Sequence, residues 1–186
     1  MIEIEKRFQP TEGQLRELLE GAEFLGEAVN RDIYYDYQDL RFFDRGIRLR
    51  NRNGSFELKI NTKKGSSKLG LVRNEIEDEE EIKKFLNIDI PIQKFVDENM
   101  MVLSDYVNNR KKYKKGLFSI DLDDMDFGYK LCEVELMVED EDEISNAKNL
   151  ISEFIKQHGI KIKKIPTKGE AYLRIKNPEL CKRLFG

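Results

Sequence analysis

Glu3 and Glu5 stand two residues apart, and so do Glu133 and Glu135, Asp121 and Asp123, and Arg48 and Arg50. In an extended strand that spacing puts both side chains of a pair on one face, about 7 Å apart along the chain. Two guanidinium forks on one face suit an anion with more than one charged centre, and Lys59 in the next segment adds a compact point charge. Paired carboxylates offer hard oxygen donors of the kind Mg2+ takes. Any one pair taken alone reads equally well as a surface ion-pair ladder across strands. The chain has one His, His158, and two widely separated Cys, Cys132 and Cys181. A His-dependent triad, a His-rich metal centre, a Cys-based zinc site and a disulfide framework therefore fall away. Chemistry must run on carboxylates, Lys and Arg, with a hard ion if a metal takes part.

Something has to position these pairs, and the hydropathy pattern says what. Period-two alternation runs through residues 2–8, 31–38, 46–52, 55–61, 69–76, 101–107, 110–114, 117–123, 129–138 and 170–176. Asn53-Gly54 predicts a tight hairpin, Lys115-Gly116 another, and the stretch 62–68 a mobile loop. Helical signals are fewer. Thr11 with Gln14 forms a capping box ahead of a short helix over 11–21; Asp78 and Glu81 open a second. Ile144, Ala147, Leu150, Ile151, Phe154 and Ile155 make the longest apolar stripe, stopped at Gly159, and Asn177-Pro178 starts a terminal helix. The outcome is an α+β or barrel-like domain of antiparallel strands with few helices.

Charges occupy one face of nearly every strand: Glu3, Glu5 and Arg7; Arg48, Arg50 and Arg52; Glu57 and Lys59; Asp121 and Asp123; Glu133 and Glu135. The other face carries Ile2, Ile4, Ile47, Leu49, Phe56, Leu58, Ile120, Leu122, Val134 and Leu136. Solvated charged faces are the rule, which favours an ordinary barrel with its charges outside. The amphipathic helices need an apolar surface to cover, which favours an inverted barrel with its charges inside. Periodicity alone leaves both open.

Composition sets the frame. The 186 residues amount to a single domain, 1–186, and no internal repeat or linker divides them. Lys and Arg number 33 against 36 Asp and Glu, a net charge of −3, and 37% of residues are charged. No run approaches a membrane span and no signal region opens the chain, so a cytoplasmic protein without membrane association is expected. The basic stretch Arg110 to Lys115 alternates faces in an acidic chain, which argues against nucleic acid. The acidic run Glu139 to Glu143 complements the dipole of the helix that follows it, and His158 sits in that helix's last turn.

The ordered set of segments resembles the CYTH superfamily, the triphosphate tunnel metalloenzymes. Ile2-Glu3-Ile4-Glu5-Lys6-Arg7-Phe8 resembles that family's Glu-x-Glu-x-Lys opening. Asp32-Ile33-Tyr34-Tyr35-Asp36, Ile47-Arg48-Leu49-Arg50 and Phe56-Glu57-Leu58-Lys59 look like its next strands. Ser119 to Asp123, Asp126-Phe127-Gly128-Tyr129, Cys132 to Leu136 and Pro166-Thr167-Lys168-Gly169 follow in order. The Asp-Phe-Gly-Tyr element looks most like the thiamine-triphosphatase branch. The resemblance implies an eight-stranded antiparallel tunnel with a polar interior, flanked by a few helices, and so selects the inverted barrel.

It also implies a function: Mg2+-dependent hydrolysis of a triphosphorylated small molecule, with Mn2+ as a possible substitute. Thiamine triphosphate is the first candidate and inorganic triphosphate the second; a class IV-type adenylyl cyclase and a non-catalytic triphosphate-binding module are the alternatives. Arg48, Arg50 and Lys59 are expected on the phosphates, and by resemblance Arg7, Arg110 and Lys168 complete the ring. Glu3, Glu5, Asp121, Glu133 and Glu135 are expected on the metal. No catalytic residue is assigned, and the chain is expected to be a monomer or a homodimer. Two departures stand out. Arg7 occupies the position of the signature Lys, with Lys6 beside it predicted to face outward. Gly46 stands where the mammalian thiamine triphosphatases carry a Trp, and this chain has none, leaving Tyr34, Tyr35 or Phe127 as candidate stacking surfaces.

Overall fold

The computed structural model describes residues 2–61 and 73–186. The expected mobile loop at 62–68, and residues 69–72 of the strand expected over 69–76, lie outside the described residues. Eight strands are present: β1 (Ile2–Phe8), β2 (Glu23–Asp36), β3 (Ile47–Arg52), β4 (Ser55–Asn61), β5 (Arg73–Ile76), β6 (Met101–Lys115), β7 (Phe118–Met125) and β8 (Lys130–Val138). Interleaved with them are α1 (Glu12–Leu19), α2 (Arg41–Asp44), α3 (Glu79–Leu86), α4 (Ile92–Asn99), α5 (Ile144–Gln157), α6 (Lys168–Lys176) and α7 (Pro178–Phe185).

All strand pairings are antiparallel, in the order β1-β8-β7-β6-β2-β3-β4-β5. The two ends of that order, β1 and β5, come back together, so the sheet wraps around its concave face. Local chemistry sets the turns. Asn53 and Gly54 both adopt positive φ, 52° and 96°, which gives the β3–β4 hairpin a twist matching its strands. Thr11 and Gln14 cap each other at α1, the Asp78 side chain accepts the Glu81 N–H at α3, and Asn177 caps α7 with Pro178 in its first turn.

The helices cover the outside of the sheet. Ala147, Ile151 and Ile155 of α5 pack with Leu18 of α1 against Ile4, Ile120, Val134 and Leu136. Ile82 of α3 and Ile92 and Val96 of α4 pack against Ile47, Leu49 and Leu58. Each fully buried aliphatic contributes about 1.5–3 kcal/mol relative to exposure, which fixes the apolar face outward beneath the helices. The opposite face holds Arg50 at 4% exposure, Asp121 at 1% and Asp123 at 2%. The barrel is inverted, as the family pattern implies.

Several boundaries differ from the periodicity. Residues 170–176 form helix, not strand. Ala171, Leu173 and Ile175 mimic alternation, but the Thr167 hydroxyl accepts the Glu170 N–H and starts α6. The segments at 101–107 and 110–114 are one strand, β6, and β2 begins at Glu23, where Phe24 and Leu25 remain exposed and give no burial pattern. Two helices went unpredicted. α2 follows Leu40 at a φ of 62°, and its first-turn N–H groups donate to the Asp36 carboxylate, four residues before Leu40, so no cap stands at the local position; α4 starts after Pro91, where Ile92, Phe95 and Val96 at helical spacing were the available signal.

Candidate functional site

Strand register builds the site one parity at a time. Arg7 faces Glu133 and Glu5 faces Glu135 across β1 and β8, while Asp121 faces Glu133 across β7 and β8. Lys112 faces Asp121 and Arg110 faces Asp123 across β6 and β7. On the other side Arg48 faces Lys59, Arg50 faces Glu57, and Lys59 faces Glu75. These residues share the concave face, and all but Asp121 and Asp123 line one cavity of about 490 Å3.

Of the eleven expected site residues, Asp121 alone is not among those lining the cavity; it is buried behind Arg110. Lys168 arrives from outside the sheet, at the first position of α6, with Thr167 beside it. Lys6 points away from the cavity, as parity requires, yet it is not on open surface: its ammonium donates to the Ser152 hydroxyl of α5.

The cation side consists of Arg48, Arg50, Arg52 and Lys59. The Arg50 guanidinium contacts Glu57, lies 3.5 Å from Glu75 and 3.8 Å from Asp32, and donates to the Tyr34 hydroxyl at 3.3 Å. Arg52 makes a fork-to-fork pair with Asp32 at 2.6 and 2.9 Å, and Lys59 reaches Glu75 at 2.9 Å. Arg48 donates to the Ile47 carbonyl at 2.7 Å and lies over the Phe43 ring.

The acid side lies on β1, β7 and β8. Asp123 accepts both prongs of Arg110, at 2.7 and 2.8 Å, and the Lys168 ammonium at 2.5 Å. Burial by itself would raise its carboxyl, but those cations hold it well below the usual range. Glu133 takes Lys168 at 2.8 Å and Arg110 at 3.1 Å. Asp121 contacts Arg110 as an ion pair, but neither of its oxygens accepts a well-aligned hydrogen bond, and burial pushes its carboxyl up.

A third group stands apart. Carboxylate oxygens of Glu3, Glu5 and Glu135 all lie within 4.8 Å of one another. Burial, then the charges of Asp121, Glu3 and Glu133, push the Glu135 carboxyl up to about 8. The Arg7 guanidinium donates to Glu5 at 2.5 Å, and three hard oxygens this close together are a donor set of the kind a divalent cation takes. No imidazole or thiolate of the described residues belongs to that group, so a zinc-type ligand set does not fit.

Sequence reasoning passed over Asp32, Asp123, Glu57 and Glu75 as site members. Parity with Arg50, Arg110 and Lys59 was the signal for all four. Of the expected aromatic surfaces, Tyr34 lines the cavity; Tyr35 is buried on the outer face against Phe56, and Phe127 packs on Tyr106 and Tyr172.

Comparison with known proteins agrees with this geometry. The CYTH domain model matches residues 1–167. A Pyrococcus horikoshii protein superposes with a TM-score of 0.67 at 21% identity, covering 92% of this chain and 98% of its own. A Vibrio parahaemolyticus protein described as an adenylate cyclase candidate gives 0.62 at 15% identity, covering 91% and 97%. HpAC1 from Hippeastrum, an adenylyl cyclase candidate described as having a dominant triphosphatase activity, gives 0.58 at 18% identity, covering 93% and 94%. No curated protein matches. Among the described residues no helix is long and apolar enough to cross a membrane. With its wrapped antiparallel sheet and a family match over nine-tenths of its length, the chain belongs to the CYTH domain family.

Proposed function

We propose that this chain is a divalent-metal-dependent hydrolase of triphosphorylated small molecules. Thiamine triphosphate is the first candidate substrate and inorganic triphosphate the second; Mg2+ is the expected ion and Mn2+ the alternative. The observation that carries the reading is the meeting, in one cavity, of a cation side and the Glu3, Glu5 and Glu135 group. Its relatives support the reaction class, since HpAC1 is described as a triphosphatase.

Arg48, Arg50 and Lys59 would grip one stretch of the phosphate chain, and Arg7, Arg110 and Lys168 the other. At an effective dielectric near 20 each close charge pair is worth about 4 kcal/mol before desolvation, so several cations together can hold a polyanion. Most are already paired with acids and so held in position before substrate arrives, which lowers the reorganisation cost of the reaction. Glu3, Glu5 and Glu135, with Glu133 and Asp121 nearby, would hold the metal, whose charge offsets that of the phosphate oxygens. The cations then stabilise charge developing on the leaving diphosphate as water attacks the terminal phosphoryl group. Arg7 keeps the signature position's charge but cannot give up a proton, so it acts as a fixed cation.

Product analysis tests this. The protein is incubated with Mg2+ and thiamine triphosphate, inorganic triphosphate or ATP. Released phosphate with a diphosphate product is expected. Cyclic AMP from ATP would assign the cyclase reaction instead, and no product from any of the three would leave a binding module.

A further inference from the structure

A second charged group lies away from the cavity, on the outer face of β1. Lys6 stands between Glu5 and Arg7, and strand parity turns it to the other side of the sheet, against α5. Its ammonium donates to the Ser152 hydroxyl at 2.5 Å, and that hydroxyl donates in turn to the Lys148 carbonyl at 2.5 Å. Lys148, Ser152 and Lys156 follow one another at helical spacing, which places them along one stripe of α5. None of these four residues lines the cavity. The three lysines share no acid. Among the described residues their ammonium groups form no ion pair, and the charges that act on Lys6 are those of Lys156 and Lys148, which together with burial hold it below its ordinary range. Lys148 is only 5% exposed, and no described group accepts from its ammonium. Exposed Lys111 and Lys130, by contrast, each meet an acid. Packing therefore gathers three like charges, one of them buried, at a cost that an anion would relieve.

We propose that Lys6, Lys148 and Lys156 form a phosphate-binding site on the outer face of β1, separate from the cavity, and that its ligand is free inorganic phosphate. Compact ammonium donors with no guanidinium fork among them suit a tetrahedral oxyanion better than a planar carboxylate, which a fork matches in two parallel bonds. Phosphate brings more than one negative charge and several acceptor oxygens to three cations. It is also the anion that the hydrolysis proposed above releases, although the site stands on its own residues and not on that reaction.

The test is titration with inorganic phosphate, in chelator and at constant ionic strength, read from backbone amide chemical shifts in the wild type, Lys148→Met and Lys156→Ala. The expected result is that the amides of Lys6 and of residues 148–156 shift together and saturably, with one dissociation constant. That constant should rise about tenfold or more in Lys148→Met, which keeps the apolar stem and removes a buried charge. It should rise about threefold in Lys156→Ala, whose exposed position spares the fold and keeps the test decisive if Lys148→Met does not fold. The response of the Arg48, Arg50 and Lys59 amides on the cavity side should be the same in all three proteins. Shifts confined to those cavity strands, α5 shifts with an unchanged dissociation constant in the variants, or shifts that never saturate overturn the site. Each of these leaves the triphosphate reading, which product analysis decides, untouched.

Discussion

Arg50, buried, and Glu135, half-buried, line one cavity, and acids surround both, opposite in charge to the first and like the second. Around Arg50 the near charges are acids, Asp32, Glu57 and Glu75, and the set is complementary within the protein. Around Glu135 the near charges are again acids, Asp121, Glu3 and Glu133, which outweigh the opposing charge of Arg110. The first region closes on itself and holds shape. In the second, burial and like charges weigh on Glu135, while its neighbours Glu5 and Glu133 are themselves held by Arg7, Arg110 and Lys168. A buried charge cluster therefore says little about function until its own counter-charges are found.

The largest effect expected from this contrast is on stability. Arg50→Ala should leave Asp32, Glu57 and Glu75 without their shared cation and cost about 3–5 kcal/mol of folding free energy in urea denaturation. A loss below about 1 kcal/mol would mean that this side is not the self-complementary region described. Glu135→Gln should do the reverse. With a neutral amide among acids the fold is spared or gains, while turnover at limiting Mg2+ drops on the order of 100-fold. A near wild-type rate would remove Glu135 from the metal site.

Acidity sharpens the contrast further. Glu135 titrates near 8 in the fold and near its ordinary 4.5 when unfolded, so between those values the folded protein binds more protons. Its contribution to stability is fully present below about pH 4.5 and is lost as pH rises toward 8. Melting in chelator should therefore show falling stability across that window in the wild type, and a shallower fall in Glu135→Gln. Identical pH profiles for the two proteins would contradict the assignment. The smallest effect belongs outside the cavity: Lys111, exposed and paired with Glu27 at 3.2 Å, should change stability and kcat/KM by less than about 1 kcal/mol when replaced by Ala.

Much of this was readable from spacing. Period two put Glu3, Glu5, Arg48, Arg50, Lys59, Glu133 and Glu135 on one face of their strands, because each strand has a single buried apolar face and register cannot slip by one residue without inverting it. Which face turned inward was not readable from any strand by itself. It follows from where the apolar stripes of α3, α4 and α5 settle, and those contacts are long-range. The same limit explains α6. Ala171, Leu173 and Ile175 satisfy a strand pattern as well as a helix, and only the Thr167 cap decides between them.

The most direct measurement is thermal melting of the wild type with inorganic triphosphate and Mg2+, added singly and together. If the concave face holds a polyanion with a divalent cation, the two together should stabilise the fold by about 2.7 kcal/mol at 100 times the dissociation constant, more than either alone. No shift at saturating concentrations of both would contradict a cavity built to bind them.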